Sequence, residues 1–174
     1  MNDTQRPFKP LNICVLTVSD SRTLAEDTSG QTLADALTKA GHHLYDRQLV
    51  ADDIYQIRKV ASAWIADDKV DVVLTTGGTG LTGRDGTPEA ISPLFDKTIN
   101  GFGEMFRMVS WNNIHTSTLQ SRAVAGVANR TYLFVLPGSS GAVRDAWNEI
   151  IRHQLDYRTR PCNLVELMPR LNEQ

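Results

Sequence analysis

The apolar residues of this chain fall into two kinds of pattern that alternate along its length. Ile13-Cys14-Val15-Leu16-Thr17-Val18 is a short, nearly unbroken apolar run closed by Ser19-Asp20-Ser21-Arg22. A run of that length between polar residues predicts a strand buried on both faces. Leu33, Ala36, Leu37 and Ala40 then recur at helical spacing, and Gly41 ends the segment as a C-terminal cap would. His43 to Val50 predicts a second strand. Ile54, Ile57, Val60, Ala61, Trp64 and Ile65 draw the stripe of an amphipathic helix, with Asp52 and Asp53 at its start. Val70 to Thr75 predicts a third strand.

Further on, Thr87-Pro88-Glu89 predicts a helix start, with Thr87 as cap, proline at the first helical position and Glu89 facing the positive end of the dipole. Gly101 and Gly103 bracket the entry to a helix carrying Phe102, Met105, Phe106 and Val109. Ala123 to Ala128 and Tyr132 to Leu136 predict two more strands. Val143, Ala146, Trp147, Ile150 and Ile151 mark the last helix, and the tail beyond Leu155 reads as extended or irregular. Strands alternating with helices imply crossover connections, and so an α/β fold with a mostly parallel sheet covered on both faces.

Composition narrows this picture without changing it. The chain has 174 residues, 41% hydrophobic and 22% charged, which fits one globular domain. We expect a flexible N-terminal arm over residues 1–10 and a single domain over 11–174. A net charge of -2, dispersed along the chain, argues against a nucleic-acid binder. No apolar run approaches the roughly 20 residues of a membrane helix, and the polar, proline-containing start resembles neither signal peptide nor anchor. The expected compartment is therefore the cytoplasm. Cys14 and Cys162 are far apart, and His42, His43, His115 and His153 lack metal-ligand spacing, so a zinc site is not indicated.

Ligands of open α/β sheets sit beyond the carboxyl ends of the strands. Three loops leave such ends here: Ser19 to Arg22, Thr75 to Thr87, and Pro137 to Gly141. Thr75-Thr76-Gly77-Gly78-Thr79-Gly80 holds three glycines and three threonines. Glycines let successive backbone N–H groups approach an anion, and threonine hydroxyls add donors. The loop matches neither the Walker A motif nor Gly-x-Gly-x-x-Gly, and a plain tight turn is the competing reading. Pro137-Gly138-Ser139-Ser140-Gly141 offers the free amides of a helix start to an anion, or else is simply a helix capped by Ser139 or Ser140. Asp85, close behind the first loop, suggests a bridging Mg²⁺ where phosphates would otherwise be repelled. Arg84 suits phosphate neutralisation, although a solvated Arg–Asp turn would explain both residues.

Five motifs occur in order: Thr-Val-Ser-Asp (17–20), Thr-Thr-Gly-Gly-Thr-Gly (75–80), Arg-Asp-x-Thr-Pro-Glu (84–89), Gly-Phe-Gly-Glu (101–104) and Leu-Pro-Gly-Ser (136–139). Together they resemble the MoaB/Mog family of molybdenum-cofactor biosynthesis proteins, which includes domains of gephyrin. The resemblance runs from about Leu11 to Pro161, and residues 116–129 and 159–163 look like the MoaB branch. It implies the molybdopterin-binding three-layer α/β/α sandwich and molybdopterin adenylyltransferase activity with MgATP, releasing pyrophosphate. Carried over by motif, Asp85 and Asp52 are the catalytic aspartates and would share Mg²⁺, with Asp53 as an alternative register for Asp52. Asp20, Thr76, Gly77, Gly78, Thr79, Gly80, Arg84, Thr87, Gly103, Glu104, Pro137, Gly138, Ser139 and Ser140 would bind the pterin or the nucleotide. Pro-Gly-Ser-Ser stands where many relatives carry Pro-Gly-Asn-Pro. The resemblance also implies a homotrimer or homohexamer. Two alternatives share the same loops: a non-catalytic molybdopterin binder or carrier, and a general nucleotide-binding module.

Overall fold

The computed structural model of the chain describes residue 3 and residues 5–171. Six strands form one sheet: β1 (Asn12–Val18), β2 (His43–Val50), β3 (Val72–Thr76), β4 (Lys97–Thr98), β5 (Val124–Ala128) and β6 (Thr131–Leu136). Their order is β2-β1-β3-β6-β5-β4. The first four of that order run parallel; β5 alone is reversed, pairing antiparallel with β6 on one side and with the short β4 on the other. The sheet is thus mostly parallel, as the strand–helix alternation implied.

The unbroken apolar runs of the central strands follow from burial on both faces. Along β1, Ile13 and Val15 enter one core, while Cys14, Leu16 and Val18 enter the other. β6 divides in the same way, with Tyr132, Phe134 and Leu136 on one face and Leu133 and Val135 on the opposite face. The first core is covered by α1 (Thr28–Lys39), α4 (Asn100–Ile114) and α5 (Ser140–Ala146), which continues through a π-helical turn at Trp147–Ile151. The second is covered by α2 (Ile54–Ala66) and the short α3 (Thr87–Ile91). Trp64 and Trp147 are buried core residues; Trp111 is exposed.

Several boundaries differ from the sequence expectation. Thr87 does not cap α3: Gly86 holds the cap position, and the Thr87 hydroxyl instead donates to Gly77 O at 2.8 Å. A long-range partner has displaced the local one. Gly101 and Gly103 lie inside α4, whose first turn begins at Asn100. The two-residue β4 carries no apolar signal, and its pairing with β5 alone creates it. The tail is not wholly irregular either. Asn163 accepts from Glu166 N at 2.9 Å and caps a short helix, Leu164–Leu167.

The N-terminal stretch and this tail meet. Arg6 donates to Glu166 at 2.7 Å, and the Phe8 ring lies 5.0 Å from that of His42. Met1, Asn2 and Thr4 of the expected arm, and the last three residues of the expected domain, lie outside the described residues.

His42 is buried, and its Nδ1 accepts from Leu11 N at 3.2 Å. Burial pushes its pKa from 6.5 down to about 4, against a smaller upward pull from Asp156. The folded state therefore resists a proton that the unfolded chain accepts, so stability should fall as pH drops from 6.5 towards 4. The full penalty is on the order of 3 kcal/mol. His42→Gln keeps an acceptor but does not titrate, and is expected to flatten this limb of the stability curve. Denaturant midpoints at pH 7 and pH 4.5 check it. Equal acid sensitivity in both proteins would refute the assignment.

Candidate active site

The register of the sheet builds the site. Thr17 pairs with Thr76, Thr76 with Leu136, and Val18 with Val50, so four parallel strands end at one level. α1 and α2 leave β1 and β2 towards opposite faces, which opens a crevice at the switch in strand order. The loops after β1, β2, β3 and β6 meet there around a cavity of 480 Å³. Its wall comes from Asp20 and Arg22 after β1, Asp52 after β2, Thr76 to Gly78 at the end of β3, and Gly138 and Ser139 after β6.

The glycine loop approaches its neighbours more closely than any side chain would allow. Gly77 has φ +100°, and a Cβ there would lie 2.2 Å from Val18 O. Only glycine tolerates both the conformation and the contact. A Cβ on Gly78 would lie 2.4 Å from Asp52 Oδ1, and one on Gly80 would lie 2.3 Å from Asp85 Oδ2. Two carboxylates therefore pack against the loop, Asp52 at Gly78 and Asp85 at Gly80. Thr82 holds Asp85 through its amide and hydroxyl at 3.2 and 3.3 Å.

Asp52 and Asp53, undecided by sequence, have separate positions. Asp53 caps α2, accepting from Tyr55 N at 3.0 Å and Gln56 N at 2.9 Å. Asp52 faces the cavity. Its amide donates to Asp20 Oδ1 at 3.0 Å, while its own Oδ1 is buried without a hydrogen-bond partner. Burial, helped by the negative charges of Asp20 and Asp85 and opposed by Arg84, raises its pKa above the usual carboxylate value. Arg84 pairs with Asp20, at 2.7 and 3.1 Å, rather than with Asp85. That ion pair links the first and third loops but is exposed, so it adds little stability.

Of the remaining expected residues, Ser139 caps α5, accepting from Ala142 N at 3.2 Å, and Thr76 Oγ1 donates to Pro137 O at 2.9 Å. Ser140 borders this segment and donates to Thr28 Oγ1 at 3.3 Å. Thr79, Gly80, Arg84 and Asp85, in the loop that continues from Gly78, and Thr87, which opens α3, do not themselves line the cavity; Arg84 reaches its wall through Asp20. Gly103 and Glu104 do not line it. A Cβ on Gly103 would meet Ala123 O at 2.7 Å, so this glycine serves the packing of α4 against the segment entering β5; Glu104 is exposed on that helix.

Sequence reasoning missed three side chains near the site. Ser29 lines the cavity. Asp27, fully buried, accepts from Thr17 Oγ1 at 2.6 Å, Gly30 N at 2.8 Å and Arg47 at 2.9 Å. Asp27-Thr28-Ser29-Gly30 at the head of a helical repeat was the available signal for a cap. Arg122 reaches the glycine loop from far along the chain, and nothing local announces it.

Among the described residues, no group of three or more His, Cys, Asp or Glu side chains gathers to hold a metal ion. Two carboxylates suffice for Mg²⁺ when substrate phosphates and water complete its shell. The orphaned Oδ1 of Asp52, in the negative field of Asp20 and Asp85, suits such a cation. No helix is long and apolar enough to cross a membrane among these residues.

Residues 14–157 match the family model described as "Probable molybdopterin binding domain". The chain is 56% identical over 163 residues to molybdenum cofactor biosynthesis protein B of Escherichia coli (strain K12), covering 94% of this chain and 96% of that one. A crystal structure of a molybdenum cofactor biosynthesis protein B superposes with a TM-score of 0.83 at 46% identity, covering 86% of this chain and 94% of that chain. The tungsten cofactor synthesizing protein MoaB from Pyrococcus furiosus superposes at 0.73 with 38% identity, covering 82% and 91%. Ordered motifs, strand order and overall likeness agree, and the chain belongs to the molybdopterin-binding-domain family of molybdenum-cofactor biosynthesis proteins, in its MoaB branch.

Proposed function

We propose that this chain binds molybdopterin and MgATP in the crevice beyond β1, β3 and β6 and adenylylates the pterin. The observation that carries this reading is the glycine loop flanked by Asp52 and Asp85. An oxygen of the pterin's terminal phosphate attacks the α-phosphorus of ATP, the bond to the β-phosphate oxygen breaks, and pyrophosphate leaves with its electron pair. Such a transfer asks the protein for positioning and charge stabilisation rather than covalent chemistry. Backbone amides of Gly78 to Gly80 and the start of α5 receive phosphate oxygens. Asp52 and Asp85 would hold Mg²⁺, which supplies neutralisation of the nucleotide phosphates and the leaving group. The Ser139 hydroxyl caps α5 and so holds the first turn whose amides would meet a phosphate.

Incubation with molybdopterin and MgATP should yield adenylylated molybdopterin. Asp85→Asn is expected to lower that rate by about a hundredfold or more, the scale of removing one preorganised electrostatic group. Absence of turnover by the wild type, with tight pterin binding retained, would favour the carrier reading. Nucleotide binding undisturbed by pterin would favour a general nucleotide module.

A homo-oligomer in the cytoplasm completes the reading. Met105, Met108, Trp111 and Ile114 are exposed together on α4, an apolar face suited to a second copy. Light scattering that finds a monomer at micromolar concentration would refute it.

A further inference from the structure

Three successive carbonyls of the glycine loop are fastened from outside the cavity. Thr87 Oγ1 donates to Gly77 O at 2.8 Å, Thr87 N donates to Gly78 O at 2.9 Å, and Arg122 Nε donates to Thr79 O at 3.1 Å. Across a trans peptide, the carbonyl and the following N–H point in opposite directions. These bonds therefore turn the amides of Gly78, Thr79 and Gly80 away from Thr87 and Arg122. Free backbone amides held in this way form an anion nest.

Arg122 does more than close the third of these contacts. A second nitrogen, Nη2, donates to Asp85 O at 3.1 Å, and the third, Nη1, pairs with the Glu89 carboxylate of α3. One rigid fork thus grips the glycine loop, the backbone of the aspartate that flanks it, and the helix that follows. The residue arrives from the segment before β5, 43 positions from Thr79 and 37 from Asp85. Its side chain is three-quarters shielded from solvent. Lysine could match the charge but not three partners in one plane.

We propose that Arg122 is the positioning residue of this site, fixing the Asp85 carboxylate relative to the amide nest on the glycine loop. Each of the three Arg122 nitrogens has a protein acceptor, and its hold on the site runs through the two backbone carbonyls. A misplacement of about 1 Å at a reacting group costs up to a hundredfold in rate. The kinetic part of the test rests on the adenylyl-transfer reading, and the exchange part does not.

Arg122→Lys is compared with wild type in the full chain by two measurements. In the first, kcat for adenylylation is expected to fall by about 10- to 100-fold, with KM for ATP changed less than about threefold and melting temperature lowered by under about 5 °C. A kcat within about twofold of wild type overturns the proposal. So does a rise in KM at unchanged kcat, which makes Arg122 a nucleotide contact, or a larger thermal loss, which makes it a fold residue. The second measurement is amide hydrogen exchange without ligands. The Asp85 and Thr87 amides, bonded to Thr82 O and Gly78 O, should exchange faster in the variant, with β3 and β6 unchanged. Should the wild type show no turnover, the adenylyl-transfer reading fails and this second result decides: faster local exchange sustains the positioning role, and unchanged exchange overturns it.

Discussion

Asp52→Asn is expected to reduce adenylylation by about a hundredfold or more while making the folded chain more resistant to heat. The two effects share one cause. Asp52 lies in the field of Asp20 and Asp85 with its Oδ1 buried and unpartnered, and its proton affinity is raised in the fold. The folded chain then binds that proton more tightly than the unfolded chain, so ionisation costs stability as pH rises above the usual carboxylate range. At neutral pH the wild type carries this cost in full, and asparagine removes it. The variant should melt higher than wild type at pH 7, and the gap should close as pH falls and Asp52 takes up its proton. A group kept at the expense of stability in a cavity wall is characteristic of a functional site. Wild-type turnover in the variant, or a lower melting temperature at pH 7, would count against the role assigned to Asp52.

Asp27→Ala is expected to destabilise the fold severely, by about 3–5 kcal/mol at neutral pH. Asp27 is buried and receives the Thr17 hydroxyl, the Gly30 amide and Arg47. Removing the carboxylate leaves the Arg47 guanidinium, whose Nε already lacks a partner, uncompensated in a shielded position. It also strips the cap from α1, a loss of about 1 kcal/mol in typical cases. Burial alone would raise the Asp27 pKa, but the hydrogen bonds from Thr17, Arg47 and Gly30 together hold it below the ordinary value. Its stabilisation is therefore complete above the usual carboxylate pKa and is lost only as pH falls below it. Urea unfolding at pH 7 should show the full deficit, and at pH 3 a smaller one. A deficit under about 1 kcal/mol at pH 7 would mean that water replaces the carboxylate without difficulty.

The contrast between these two aspartates separates structure from function. Both lie beneath loops at the carboxyl end of the sheet. Asp27 has several hydrogen-bond partners and stabilises the fold. Asp52 has a buried oxygen with none, and its ionisation is expected to cost stability.

Much of this was legible in the order of residues. Unbroken apolar runs at β1, β3 and β6 specify strands covered on both faces, and the helical stripes between them specify crossovers, because burial of an apolar face is a local demand that spacing records. Glycines at 77, 78 and 80 marked a loop where backbone must approach something closely, and Asp85 followed within reach. The five ordered motifs then pointed to the family to which the chain belongs.

Other features depended on contacts between distant segments. Only the register that levels Val18, Val50, Thr76 and Leu136 decides which loops share a cavity. Only the fold separates Asp53, satisfied by two amides of its own helix, from Asp52, left facing the crevice. Thr87 gives up its local capping role for Gly77 O, and β4 exists because β5 pairs with it. Arg122 could not be found along the chain at all, since an arginine carries no local mark of the carbonyls it will reach. Periodicity and turn chemistry act over a few residues and are written in the sequence; hydrogen bonds and fields between distant segments arise only once the sheet has closed.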